Sequence, residues 1–357
     1  MAKKEKIKER LVLLDAHAIL HRAYHALPDF ATSSGEPTGA LYGLSTMILK
    51  IASDLKPDYI IACYDLPKPT YRHEVYENYK AGRAKSDPEL VSQMEKSKDV
   101  CTALGIPIYS HPGFEADDIL GTIVEELKSR LDKDLEIIIA SGDMDTMQLV
   151  DDNKVMVYTL KKGLNDTILY DEKAVLERFG FGPKLLPSFK GLRGDPSDNI
   201  IGIEGIGEKS ATDLIVNFGS IEKIYKTLKK NEQVFIDKGI KKRIVELLRE
   251  GEEEARFSEM LATIRKDAPI DFELPQKNWK EGIDLDKAQK LFGELQFRTM
   301  SGKLQDVLKK NGREIVEETQ EDIKESDLEE TALALWVADS NIKDPKLEDI
   351  LNFANTK

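Results

Sequence analysis

Leu135-Glu-Ile-Ile-Ile-Ala-Ser-Gly-Asp-Met-Asp145 decides the fold class. An unbroken apolar run rich in isoleucine reads as a strand buried on both faces, the habit of parallel sheets. Two carboxylates, Asp143 and Asp145, follow as soon as that run ends. The pattern recurs elsewhere in the chain. Asp15 closes Leu11-Val-Leu-Leu14, and Asp65 closes Tyr59-Ile-Ile-Ala-Cys-Tyr64. Glu115-Ala-Asp-Asp118 follows Ile106-Pro-Ile-Tyr109, while Asp195 and Asp198 lie in Gly194-Asp-Pro-Ser-Asp-Asn199. In an open parallel sheet the carboxyl ends of the strands share one edge, and ligands bind in the crevice there. Nine acids on one edge repel one another unless cations hold them. An all-oxygen donor set suits hard divalent ions, Mg²⁺ or Mn²⁺. Two such ions about 3.5–4 Å apart serve in-line phosphodiester hydrolysis.

Outward from these strands, the chain alternates short β-rich runs with helical patterns. Strands are expected at 11–15, 59–65, 106–110, 135–141 and 155–159, with helices over 38–53, 87–104 and 116–131. That alternation predicts an α/β fold with a parallel sheet over roughly 1–170. From 171 to 310 the apolar spacing turns helical, which predicts an α-helical subdomain. Residues 311–330 are acidic and poor in large apolar side chains, the composition of a solvated linker. Thr331-Ala-Leu-Ala-Leu-Trp-Val-Ala338 then reads as a new strand.

The 357 residues carry a net charge of −13, which at first sight disfavours a nucleic-acid partner. The charge is unevenly spread: residues 311–357 hold −8 of it, and without the nine clustered acids the remaining body is +4. A mildly basic body around an acidic, ion-neutralised pocket still attracts phosphate backbones. No apolar stretch approaches the roughly 18 residues of a membrane span, and no membrane partner is expected. Cys63 and Cys101 have neither a metal-ligand spacing nor a disulfide framework, which fits a reduced cytoplasm.

Three of the acids, Glu115, Asp117 and Asp118, open a helix, where one acid alone would be a cap. Three in four residues exceed what capping needs. Gly202-Ile-Glu-Gly-Ile-Gly-Glu-Lys-Ser-Ala211 follows no predicted strand, so a dinucleotide fingerprint is disfavoured. Apolar residues alternating with glycines before a helix match a helix-hairpin-helix, in which Gly202, Gly205, Gly207, Lys209 and Ser210 meet a phosphate backbone. After Asp65, Tyr71, Arg72, Tyr79, Lys80, Arg83 and Lys85 mix cations with aromatic rings, as an unpaired strand requires. A second basic stretch includes Lys241 and Lys242, candidates for gripping duplex backbone. His17, His21 and His25 recur at four-residue spacing, but with carboxylates dominant nearby a zinc stripe is disfavoured. Arg22, on the same helix, is the better candidate to steady a phosphate.

Taken in order, these motifs resemble the 5′→3′ exonuclease and flap endonuclease family, above all the 5′-nuclease domain that opens bacterial DNA polymerase I. The resemblance rests on Leu14-Asp-Ala-His17, His21-Arg-Ala-Tyr-His-Ala26, Tyr71-Arg-His-Glu74, Tyr79-Lys-Ala-Gly-Arg83, Phe114-Glu-Ala-Asp-Asp118, Ser141-Gly-Asp-Met-Asp145, Gly194-Asp-Pro-Ser-Asp-Asn199 and residues 202–211, and runs from Leu11 to Leu304. It implies a PIN-like parallel sheet with a helical arch at about 68–100, then the helix-hairpin-helix region. It implies a first metal among Asp15, Asp65, Glu115 and Asp117, and a second among Asp143, Asp145, Asp195 and Asp198, with Asp118 beside them. Arg22, Lys80 and Arg83 match catalytic basic residues, and the hairpin carbonyls a K⁺ site. The implied substrate is DNA with a 5′ flap, nick or 5′ end, cut by a monomeric hydrolase in primer removal and repair. Residues 331–357 resemble the start of a truncated 3′→5′ exonuclease-like domain, which implies a polymerase partner domain. Ala16 and Met144 depart from the family, where Gly and a basic residue are usual; neither removes a carboxylate. The competing expectations are a non-catalytic flap- or nick-binding module and a PIN-type ribonuclease.

Overall fold

The computed structural model describes residues 9–27, 30–83, 87–130, 135–152, 154–162, 166–314 and 331–332. Lys85, most of the expected linker and the expected 3′→5′ exonuclease-like segment beyond 332 lie outside them. Thr331 and Ala332, at the start of the expected strand, are helical. A short Ala/Leu-rich run fits either state, and alanine and leucine are strong helix formers.

Six strands form one sheet: β1 (Glu9–Asp15), β2 (Tyr59–Cys63), β3 (Ile108–Tyr109), β4 (Leu135–Ala140), β5 (Val155–Lys162) and β6 (Asp166–Tyr170), in the order β3-β2-β1-β4-β5-β6. β1 runs parallel to β4, with Leu11 opposite Ile137 and Leu14 opposite Ala140. β2–β3 and β4–β5 are also parallel. Leu11–Leu14 and Ile60–Cys63 are buried throughout, as central strands covered on both faces require. The order reverses between β1 and β4, so the carboxyl ends of those two strands flank the crevice where such sheets bind ligands.

The expected all-parallel sheet needs one correction. β6 pairs antiparallel with β5 and makes the sheet mixed. Only a few residues separate the two strands, and a parallel return would need a crossover of a dozen or more.

Fifteen α-helices are assigned among the described residues: α1 (Ala16–Ala26), α2 (Gly39–Leu55), α3 (Tyr71–Val75), α4 (Pro88–Ala103), α5 (Ala116–Arg130), α6 (Glu172–Phe179), α7 (Leu186–Arg193), α8 (Glu208–Phe218), α9 (Ile221–Lys230), α10 (Gln233–Asp237), α11 (Lys242–Glu250), α12 (Glu252–Ala262), α13 (Trp279–Gly282), α14 (Leu285–Glu294) and α15 (Met300–Lys310). None is long and apolar enough to cross a membrane. Contacts group the chain into two units. One comprises residues up to Ile19, Ile60–Asp87 and Ile108–Leu274; the other comprises Leu20–Tyr59, Pro88–Pro107 and the chain from Pro275.

The first unit holds the sheet, α5 and the helical run from α6 to α12. In the second, α2, α4 and the helices from Trp279 onward are tied by polar bonds. The Trp279 indole donates to the Leu104 carbonyl (2.9 Å), the Ala40 N–H to Gln93 (2.8 Å), and the Asn311 amide to the Ala52 carbonyl (3.2 Å). A Cβ on Gly43 would lie 2.4 Å from that of Ala23, so α1 and α2 cross closely only because residue 43 is glycine.

Candidate metal centre

The strand-end acids are placed by the helices that start beside them. Asp15 is 4% exposed and caps α1, accepting from the Ala18 N–H at 3.0 Å. Asp65 accepts from the Ala116 N–H at 2.6 Å and so caps α5 across 51 residues. Asp143 accepts from the Asp145 N–H at 2.9 Å at the start of the 3₁₀ turn Met144–Leu149. The Ser141 hydroxyl joins the two sides of the crevice: it donates to Asp15 at 2.6 Å and accepts from the Asp143 N–H at 2.9 Å. Asp65 and Asp143 thus each have one oxygen engaged by a backbone N–H, and Asp15 has both oxygens engaged, one by Ala18 and one by Ser141.

Cations stand among the remaining acids. The Lys80 ammonium donates to Glu115 at 2.6 Å and lies 3.9 Å from Asp198. The Tyr79 hydroxyl donates to Glu115 (3.1 Å) and Asp198 (3.0 Å), and Arg83 pairs with the other Asp198 oxygen. Lys190 on α7 bridges Asp145 and Asp195. Burial pulls the lysines' pKa values down, but Glu115 and Asp198 hold Lys80, and Asp145 and Asp195 hold Lys190, above the ordinary value. Asp195 is half-buried, yet Lys190 and the Ser197 donors outweigh that and keep it below the usual carboxylate range.

At the crevice the balance is opposite. Burial pushes the Asp15 carboxyl up to about 7 against its Ser141 and Ala18 donors, with Asp65 and Asp143 adding repulsion. Burial, then Asp15, Asp143, Asp145 and Asp65, drive Asp117 well above its ordinary value. Burial raises Asp145 to about 6 despite Lys190. Asp15, Asp65, Asp117, Asp143 and Asp145 therefore share one electrostatic neighbourhood, in which each added negative charge costs energy. Carboxylate oxygens that repel one another fit a hard divalent cation, which would relieve the repulsion.

A separate trio, Asp151, Asp152 and Glu172, also has ligand oxygens within 4.8 Å of one another. None of the nine expected acids belongs to it, and Asp151 is already paired with Lys128.

Several expected residues have other roles. Asp118 is fully buried, and its two oxygens take four donors: Arg72 at 2.8 and 2.9 Å, the Glu115 N–H at 3.0 Å and the Arg265 N–H at 2.8 Å. It reaches back to the Glu115 N–H at the start of α5, and both of its oxygens are fully engaged. Arg72 and Tyr79, expected to touch DNA, are 3% and 4% exposed and spend their polar atoms on this scaffold. Gly202 is buried with its N–H given to Ser258 (3.0 Å), so it offers no donor to a phosphate. Tyr71 is half-buried between the Arg72 and Arg265 guanidiniums, 4.7 and 4.8 Å from its ring centre.

Others remain presented to solvent. Gly205, Gly207, Lys209, Lys241 and Lys242 are exposed; Ser210 is half-buried in the first turn of α8, and Arg22 is half-buried on α1. Sequence reasoning missed Lys190 and Ser141. The available signal for Lys190 was a lysine five residues before Asp195.

A family model described as "5'-3' exonuclease, N-terminal resolvase-like domain" matches residues 10–180, and one described as "5'-3' exonuclease, C-terminal SAM fold" matches 181–284. DNA polymerase I of Bacillus caldotenax is 36% identical over 299 residues, covering 84% of this chain and 33% of that protein. DNA polymerase I of Chloroflexus aurantiacus is 38% identical over 296 residues, covering 82% and 30%. The chain thus spans about a third of the length of these relatives. Among solved structures, the bacteriophage T5 D15 protein co-crystallised with metal ions superposes with a TM-score of 0.59 at 19% identity, over 85% of this chain and all of that one. The catalytic core of Rad2 in complex with DNA substrate gives 0.51 at 17%, over 84% and 93%. These two likenesses concern the fold.

Proposed function

This chain belongs to the 5′-3′ exonuclease family; from there we propose that it is a metal-dependent nuclease that hydrolyses DNA at 5′ flaps, nicks and 5′ ends, releasing 5′-phosphates in primer removal and repair. One observation carries the reading: Asp15, Asp117 and Asp145 lie beside one another and beside Asp65 and Asp143, and burial, reinforced by that repulsion, raises the proton affinity of the first three. Asp15, Asp65, Glu115 and Asp117 would hold a first Mg²⁺ or Mn²⁺, and Asp143, Asp145, Asp195 and Asp198 a second, partly through water. When bound, such ions supply an activated water and charge compensation for the leaving 3′-oxygen.

The chain's own groups do the rest. Lys80 and Arg83 neutralise the scissile phosphate, and Arg22 steadies it. On this reading the free 5′ strand would pass an arch at about 68–100, of which residues 84–86 lie outside those described. The exposed turn at Gly205–Gly207 and the start of α8 form the helix-hairpin-helix that rests on duplex backbone. Its carbonyls over 202–207 would take a K⁺ ion. T5 D15 has been crystallised with DNA and metal ions as a flap endonuclease, which supports the same substrate class here. The relatives' names make a DNA polymerase domain the natural partner.

The test is cleavage of a 5′-flap DNA, labelled at each end in turn, in Mg²⁺ and in EDTA. Metal-dependent cutting at the single-strand/duplex junction is expected. Asp143→Asn with Asp145→Asn should abolish cutting and preserve flap binding. Tight binding with no cutting in Mg²⁺ or Mn²⁺ would instead identify a binding module. Cutting that survives disruption of the 202–211 hairpin would favour a PIN-type ribonuclease.

A further inference from the structure

We infer that Arg72 is a positioning residue of the metal centre: through Asp118 it fixes the helix start that carries Glu115 and Asp117. The inference rests on the metal-site reading above and adds to it a residue that touches neither ion nor DNA. All five guanidinium N–H groups are engaged. Nε donates to the Leu261 carbonyl (2.9 Å); one terminal nitrogen donates to Glu115 (3.2 Å) and Asp118 (2.8 Å), and the other to Asp118 (2.9 Å) and the Thr263 carbonyl (2.9 Å). These acceptors lie on two segments, the start of α5 and the end of α12, while Arg72 itself belongs to α3. One buried side chain therefore ties three pieces of chain at the acids.

The position of Asp118 makes the tie specific. It is the third residue of α5, and its carboxylate reaches back to the Glu115 N–H. Asp117 lies between them. The turn 115–118 cannot rotate without breaking the two parallel bonds to Arg72. Arg72 and Tyr79 also share one Glu115 oxygen, which leaves the other toward Lys80. A lysine cannot reproduce this arrangement, because its compact ammonium has three donors and no planar fork. The pattern is that of an outer partner that orients metal-ligating carboxylates.

The experiment compares Arg72→Lys, Arg72→Gln, Asp118→Asn and the double variant Arg72→Gln/Asp118→Asn with the parent chain. Mn²⁺ binding is measured by electron paramagnetic resonance, the Mg²⁺ dependence by flap cleavage, flap affinity in EDTA by anisotropy, and folding by urea. Arg72→Lys is expected to weaken Mn²⁺ binding and raise the half-saturating Mg²⁺ by about 10–100-fold, with saturating Mg²⁺ restoring most of the rate. Flap affinity in EDTA should stay within about twofold. The double variant should lose little more than Arg72→Gln alone, because both substitutions break one link. A fall in flap affinity with Mn²⁺ binding unchanged would make Arg72 a DNA contact and overturn the inference. So would a rate loss at every Mg²⁺ concentration that follows unfolding. If Arg72→Lys fails to fold, Asp118→Asn, which keeps the side-chain shape, answers the same question. Should the parent cut no flap, the proposed function fails, while the Mn²⁺ measurement still decides whether Arg72 positions the acids.

Discussion

Asp15 pays twice for its place at the end of β1. It gives up water, and it faces Asp65 and Asp143. Its ordinary value is 3.8 and its folded value about 7, so between those two the unfolded chain has released a proton that the folded chain still holds. The unfolded state then binds fewer protons, and stability falls as pH rises through that window; below it, and above it, this group adds no slope. Asp145, raised to about 6, has the same sign. In EDTA, Asp15→Asn should therefore be more stable than the parent above pH 7, by an amount on the order of a few kcal/mol. The gap should close toward pH 4, and Mg²⁺ should narrow it from the other side by stabilising only the parent appreciably. Urea unfolding across pH measures both. A gap of constant size from pH 4 to 8 would mean that the buried charge is not its origin.

Two turns lock the outer acids, and they are zipped to each other. The Lys80 N–H donates to the Asp198 carbonyl (2.9 Å), and the Asn199 amide donates to the Asn78 carbonyl (2.7 Å). Lys80 and Asn199 both sit at positive φ, 58° and 56°, an uncommon conformation held here by these bonds. The turn from Gly194 to Gly202 closes on itself: a Cβ on Gly202, at φ +66°, would lie 2.2 Å from the Gly194 nitrogen. Gly202→Ala should destabilise by about 3 kcal/mol or more and displace Asp195 and Asp198, so that cleavage is lost. Gly207→Ala meets nothing within 4 Å at φ −87° and should change stability by less than about 0.5 kcal/mol. Thermal unfolding of the pair separates the two cases. The strands near 11–15, 59–65 and 135–141 could be predicted because an apolar run closed by an acid is a local signal. β6 was missed because five residues, mostly not buried, carry little pattern. Ser141 was missed because Asp15 lies 126 residues away, and the bridging role of Lys190 because Asp145, the second acid it joins to nearby Asp195, lies 45 residues away. The burial of Arg72 and Tyr79 was not legible, because composition marks such side chains as surface groups, while burial is decided by acceptors that only the folded chain assembles.

Charge acts over longer distances than any of these bonds. The pI near 5.1 arises from the crevice acids and from residues 311–357, not from the surfaces proposed to hold DNA. Lys209, Lys241 and Lys242 are exposed around the first turns of α8 and α11. Each lysine that neutralises a phosphate releases counterion and adds about one to the slope of log affinity against log salt. Lys241→Ala with Lys242→Ala should therefore weaken flap binding on all sequences alike and reduce that slope by about two. The segment 315–357 carries a net −8 and works in the opposite direction. If its acids lie within a Debye length of the duplex, about 8–10 Å near physiological salt, they repel the phosphates. Ending the chain at Glu314 should then raise flap affinity several-fold at about 50 mM salt and leave it unchanged near 1 M, where screening is about 3 Å. Anisotropy titrations in EDTA across that range would show the two binding curves converging as salt rises. Equal affinities at every salt would place the acidic segment outside the field of the bound DNA. A gain that persisted at 1 M would point instead to a steric block over the hairpin, because excluded volume is indifferent to salt.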